Sequence, residues 1–342
     1  MAQLRVVSVG PLVSVQDGGR IGLARFGVPQ SGPMDRRAHC IANQALGNPA
    51  GAAAIEVSRG GLVVVCEAGP VTLALAGGGF SIRRCDQSLA GKALVGQTLP
   101  GQTLPSQTLP GQALPGQTLP SWCVATLHSG QSLIIRPGHW GSWTYLALPG
   151  LEAWRWLGSA ATHLASGLGG GLLQEGQILR LADRPPRPDA AIPRPVTARP
   201  GPVFRVVMGP QQRFFAPETL AGFLSQPFTL TDASDRMGVR LSGPPLPIAA
   251  LDMPSEPILR GSIQVAGDGV ATVLLADHQT TGGYPKIATL LSQDTDRFAQ
   301  LRPRDRVWFT AITPQQAIAQ SRTSAASFTR YLAQFTPEPA KT

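Results

Sequence analysis

Along most of the chain, short apolar runs alternate with turn-forming residues, and few segments carry the three-to-four-residue spacing of a helix. Residues 4–9 alternate as a half-buried strand that stops at Gly10-Pro11, and further strands are predicted at 54–58, 61–67 and 71–76, parted by glycine turns. Glu56 interrupts one of these runs and must point to the opposite face from Ile55 and Val57, toward water or a pocket. Strands resume at 122–127, 132–136, 143–148 and 177–181. After a break come strands at 203–208, 228–231, 239–241, 262–266, 270–275 and 307–312, with Gly267-Asp268-Gly269 as a hairpin turn. Helical spacing is confined to 36–46, 217–224, 288–301 and a terminal segment running toward Phe335. Asp35 is placed to N-cap the first helix, with Gly47 past its end. Thr313-Pro314-Gln315-Gln316 is a capping box that opens the last.

Two segments fit neither pattern. Residues 96–120 repeat a GQTLP-like pentamer five times. With one apolar side chain and one proline per unit, it buries no core and is expected to be an expanded loop. Residues 180–202 hold seven prolines and little apolar surface, as a linker does. The expected organisation is therefore a first subdomain over 1–183 carrying the repeat insertion and a linker over 184–202. A second subdomain then covers 203–313, and a helix and tail cover 314–342.

Composition narrows the function classes. With 342 residues, 43% hydrophobic and 14% charged, plus 39 Gly and 32 Pro, the chain reads as a turn-rich, globular β protein. The net charge of +9 comes from scattered arginines without a nucleic-acid-reading motif, so no nucleic-acid partner is expected. Cys40, Cys66, Cys85 and Cys123 are too irregularly spaced for a disulfide framework or a zinc site, and no metal is expected. No leader pattern or membrane-length apolar run is present, which points to a cytoplasmic protein without a membrane partner. Nucleophile-elbow, zincin and dinucleotide-binding motifs are also missing.

The candidate chemistry gathers in glycine-rich loops. In residues 274–287 an apolar run delivers Asp277, His278, Gln279, Thr280 and Thr281 to Gly282-Gly283, followed by Tyr284, Pro285 and Lys286. Such a strand end offers side chains and bare N–H groups to a ligand, though the same residues also make an ordinary turn. Lys286 matters because the chain has only three lysines (Lys92, Lys286, Lys341) against 26 arginines, and a compact ammonium is not interchangeable with a guanidinium. A second loop, 14–35, carries Gln16, Asp17, Arg20, Ser31 and Asp35, and two more lie at 158–171 and 234–240.

The stretches SVQDGGRIGLARFGVPQSGPMD, IANQALGN, AAIEV, SDRMGVRL, PSEPILRGSIQV and LLADHQTTGGYPKIA resemble, in this order, the allophanate hydrolase subunit 2 family. This is also the KipA-like or biotin-dependent carboxyltransferase family, which includes the C component of 5-oxoprolinase. The resemblance implies a mainly β protein of two cyclophilin-like β-barrel subdomains. It further implies a place in an ATP-dependent 5-oxoprolinase that converts 5-oxoproline to glutamate, with a KipI-like B component and an A component as partners. ATP and magnesium are then expected at the level of the complex, with no cofactor bound by this chain alone. Two alternatives accompany it: a urea carboxylase-like carboxyltransferase using biotin carried elsewhere, and a regulatory module that binds a KipI-like kinase inhibitor. Under the main reading Lys286, Asp277, Asp235 and Tyr284 are the catalytic candidates. Gln264, Gln279, Thr280, Thr281, Gly282, Gly283, Arg20, Arg236, Arg240, Ser31 and Asp35 are the candidates for binding the small-molecule substrate. The chain departs from the family's pattern at residues 158–162, at His278 where an arginine is common, and in the repeat array.

Overall fold

The computed structural model describes residues 1–86, 116–249 and 253–335. The pentamer array up to residue 115 and the tail from 336 lie outside the described residues. The first half contains β1 (Ala2–Val9), β2 (Ser14–Gln16), α1 (Arg36–Leu46), β3 (Ala54–Ser58), β4 (Leu62–Ala68) and β5 (Val71–Cys85). It continues with β6 (Gln117–Leu119), β7 (Cys123–Leu127), β8 (Ser132–Ala147), β9 (Ile178–Leu181) and β10 (Ala190–Ala191). The second half begins with β11 (Val203–Met208), α2 (Pro217–Ser225), β12 (Phe228–Ser234), β13 (Gly238–Ser242), β14 (Glu256–Pro257) and β15 (Ser262–Val265). Then come β16 (Ala271–Leu274), β17 (Thr281–Gly282), β18 (Lys286–Leu290), α3 (Ser292–Phe298), β19 (Arg306–Ala311) and α4 (Pro314–Ala333).

The expected mainly β architecture is what the chain adopts. β11, β18, β15, β16, β13, β12 and β19 close into a seven-stranded barrel, and the first half forms one ten-stranded sheet. That sheet forks around the long β5–β8 pair. β3 pairs with the end of β8 and β4 with its start, while β5 runs along both. The two limbs face each other across a core that includes Leu4, Ile55, Leu73, Leu75, Ile135 and Leu146. Side chains on the opposite face of the same strands, among them Ala74, Ala76 and Tyr145, join α1 and the barrel interior in a second core. The paired stretches 71–77 of β5 and 143–147 of β8 are thus buried on both faces, and that tie makes the two halves neighbours.

Three expectations change. The two strands predicted at 132–136 and 143–148 are one strand of 16 residues. It stays paired with β5 because Gly78 and Gly79 lie against Gly141 and Gly138 at very short range. A Cβ on Gly138 would sit 1.7 Å from the carbonyl oxygen of Gly79, and one on Gly78 2.9 Å from the Cα of Gly141. The helix predicted at 288–301 is instead β18 followed by α3. Its apolar run, Ile287 to Leu291, is hydrogen-bonded on one side to β11 and on the other to β15, so barrel closure overrides the helical spacing. The proline-rich stretch is no free linker: β10 pairs with β7, Thr72 and Thr126 bond the backbone of Arg187, and Ile192 is buried.

Candidate functional site

In β13, β15 and β16 the residues Val239, Leu241, Ile263, Val265 and Val273 fill the barrel. Strand alternation therefore turns Gly238, Arg240, Gln264, Thr272 and Leu274 outward. These outward residues floor a cleft of about 490 Å³ on the barrel wall, bounded by Ser234 and Asp235 on one side and by Gln279 and Tyr284 on the other. Gln264 anchors the overhanging loop: its Nε2 donates to the Tyr284 carbonyl at 3.3 Å, and its Oε1 accepts from Gln279 Nε2 at 3.3 Å. Thr281 and Gly282 pair with Pro257 and Glu256 in the β14–β17 ribbon. A Cβ on Gly282 would lie 2.6 Å from the Ile258 side-chain tip and 3.0 Å from that of Gln264, so a larger residue there would have to push both side chains aside. Tyr284 is 47% exposed at the rim.

Lys286 stands behind this cleft rather than inside it. Its backbone pairs with Gln264, and its Nζ lies 3.3 Å from Glu256 Oε2. The ammonium is buried, Glu256 is half exposed, and Gln211 Nε2 also donates to Glu256 at 2.6 Å. Lys286, Glu256 and Gln211 thus form a compact polar relay leading from the barrel wall toward solvent. Sequence reasoning selects neither Glu256 nor Gln211. Glu256 sits inside the recognised PSEPILR stretch, whereas nothing local marks Gln211.

The remaining candidates sit elsewhere. Asp235 lines the cleft, but its Oδ1 accepts from the N–H groups of Met237 and Gly238, which makes it the brace of its own turn. Arg240 pairs with Asp268 at 2.7 Å on the surface beside the cleft. Asp277 and Arg236, expected as catalytic and binding groups, are instead tied to one another in a buried ion pair. Arg236 is 1% exposed and donates from Nε and Nη2 to both oxygens of Asp277, at 2.9 and 3.0 Å. Its remaining donors reach Glu56 and the carbonyl of Gly32. Burial alone would lower the Arg236 pKa, but Glu56 and Asp277 hold it above the ordinary arginine value. Glu56, left open between water and a pocket, is fully buried; it also accepts from the Met34 N–H and from Tyr145 Oη. Burial beside that carboxylate drives the Tyr145 phenol well above its usual range.

Arg20 is likewise a brace rather than a ligand group, donating to the carbonyls of Trp156 and Ala161. Asp17 grips the same loop through Ser159 Oγ and the N–H groups of Ala160 and Ala161. Ser31 is buried with φ +55° beside the Gly32 that contacts Arg236. Asp35 caps α1 through Ala38 N–H at 3.0 Å and accepts from Gln300 at 2.9 Å. Burial, reinforced by Asp296, raises its pKa to about 6. Of the sequence-derived set, the structure brings together Asp235, Arg240, Gln264, Gln279 and Tyr284 around one cleft, with Lys286 at its back. Among the described residues, no cluster of three or more His, Cys, Asp or Glu side chains could hold a metal. Nor is any described helix long and apolar enough to cross a membrane.

The family description "Carboxyltransferase domain, subdomain A and B" matches residues 26–111 and 108–311. The chain belongs to this carboxyltransferase-domain family. Among its relatives, the C component of 5-oxoprolinase from Escherichia coli is 30% identical over 92% of this chain and 93% of its own length. Urea amidolyase of Lachancea kluyveri is 28% identical over 91% of this chain but only 17% of its own length. Among solved structures, TTHA0988 superposes with a TM-score of 0.74 at 32% identity, covering 91% of this chain and 55% of that one. The chain therefore spans about half of that structure. Kluyveromyces lactis urea carboxylase shares the fold, with a TM-score of 0.78 at 22% identity over 96% of this chain and 29% of the larger one. The barrel wall and the overhanging loop both fall within the family-matched segment 108–311.

Proposed function

We propose that this carboxyltransferase-domain chain is the C component of an ATP-dependent 5-oxoprolinase. The observation that carries the reading is end-to-end likeness to that component of the Escherichia coli enzyme, over 92% of this chain and 93% of the relative. A lactam carbonyl resists water; transfer of a phosphoryl group to its oxygen makes the carbon electrophilic. Water then adds, and the C–N bond opens to release the amine and leave an acyl phosphate, which a second water hydrolyses to the carboxylate and inorganic phosphate. In this reading ATP and magnesium bind on an A component or a KipI-like B component, and this chain holds the lactam in the barrel-wall cleft. Gln264, Gln279 and Tyr284 hydrogen-bond the amide, Arg240 meets the substrate carboxylate, and Thr280 to Gly283 shape the overhang. Lys286, which lies behind the cleft, offsets the negative charge that develops on oxygen only once its ammonium swings from Glu256 into the cleft.

Reconstitution with the A and B components tests this by measuring glutamate formed from 5-oxoproline with and without ATP. Lys286→Met is expected to lower turnover by about 100-fold or more, the scale of losing one charge-stabilising group. Undiminished turnover in that variant removes Lys286 from the site. A second reading, carboxyl transfer from biotin carried on another chain, draws on the likeness to urea amidolyase over 91% of this chain. An avidin blot of the purified complex separates the two.

A further inference from the structure

A larger cavity, about 650 Å³, lies between α4, α1, α3 and the stretch around Val196–Ala198, and shares no lining residue with the barrel-wall cleft. Drug-sized ligands occupy cavities of roughly this size. Its lining is mostly apolar and comes from both halves, with Ile41 and Trp122 from the first half and Phe328 from α4. Its polar groups are unevenly matched. The lining carboxylates are engaged: Asp35 by Ala38 N–H and Gln300, Asp296 by Arg36. The unmatched groups are donors. Gln293 is 8% exposed, and its Nε2 has no hydrogen-bond partner among the described residues; neither has Nε of Arg297, although Nη1 of that guanidinium donates to Asp294 at 3.2 Å. Arg37 contacts Ser324 Oγ at 2.6 Å and lies 4.9 Å from the Phe328 ring centre, with no carboxylate in ion-pair range among the described residues.

A buried donor without an acceptor is costly, so a site built this way favours a ligand that brings acceptors. We infer that this cavity binds a flat aromatic carboxylate, its ring against the apolar lining that includes Trp122 and Phe328 and its carboxylate toward Gln293, Arg297 and Arg37. Aromatic walls favour a planar ring, and a carboxylate supplies two acceptor oxygens to guanidinium and amide donors. Because the walls come from both halves and from α4, the ligand bridges them.

Calorimetric titration of the full chain with indole-3-acetate, and with its neutral counterpart indole-3-ethanol, tests the assignment. The acid is expected to bind at one site per chain, about tenfold or more tighter than the alcohol, as hydrogen bonds to a charged group require. Gln293→Ala weakens the acid by about three- to tenfold. Ser327→Trp, made at an exposed position of α4 that lines the cavity, abolishes binding without lowering the melting temperature. No saturable binding at millimolar concentration, equal binding of acid and alcohol, or an affinity that survives both substitutions overturns the assignment. None of these changes touches the barrel-wall cleft, so 5-oxoproline turnover reports on that site separately.

Discussion

Two buried residues at the start of α1 pull stability in opposite directions with pH. Asp35 has its pKa raised to about 6 by burial and by Asp296, so its contribution is full below about pH 4 and is lost as pH rises through 6. His39 has its pKa lowered to about 4 by burial, so its contribution is full above about pH 6.5 and is lost as pH falls through 4. Each is worth about 3 kcal/mol at the two-unit scale of these shifts, and between pH 4 and 6 they oppose each other. Asp35→Asn retains a capping side chain and removes the titration. Its unfolding free energy, followed by urea denaturation across this range, is expected to fall by about 3 kcal/mol from pH 6.5 to 4, while the unsubstituted chain changes less. The capping role of Asp35 was legible because Ala38 lies three residues away. Its electrostatics were not, since Asp296 and Gln300 are over 250 positions distant. Lys286 stood out by rarity alone; its partner Glu256 requires the β14–β17 ribbon to come within reach.

At the level of strands and helices, turn chemistry and alternation identified most elements, while close backbone contacts did not show in the chain. The run of three glycines at 77–79 reads as a turn until β8 supplies Gly138 and Gly141 opposite it. Gly138→Ala drives a methyl group into a carbonyl of the neighbouring strand and is expected to cost about 3 kcal/mol or more, measurable by chemical denaturation or as loss of soluble protein. The strand residues 288–290, read as the start of a helix that begins only at Ser292, have the same origin. Short apolar runs serve either form, and only the flanking β11 and β15 decide between them. Loop candidates fared unevenly. In the loop 277–286, Gln279 and Tyr284 do overhang a cleft, whereas the loops 14–35 and 158–171 grip each other through Asp17 and Arg20.

Across the whole molecule, the junction is held by Arg236, which links Asp277 of its own half to Glu56 of the first. Removing one member of such a buried set leaves charge without a partner. Arg236→Met is therefore expected to cost about 3–5 kcal/mol, read as a drop in the urea midpoint for both halves together. SDRMGVRL and AAIEV marked these residues in the sequence, but their meeting spans 180 positions and has no local signature. The barrel is closed by its own seven strands, yet it is not portable. A gene fragment encoding 203–335 inherits Arg236 and Asp277 without Glu56, Gly32 or the β5–β8 face, so a polar knot and an apolar surface would meet water at the same place. Co-expression of 1–202 with 203–335 is expected to recover soluble material that the second fragment alone does not give. Any shuffling of halves between relatives would then have to move a glutamate and an arginine as a single inherited pair.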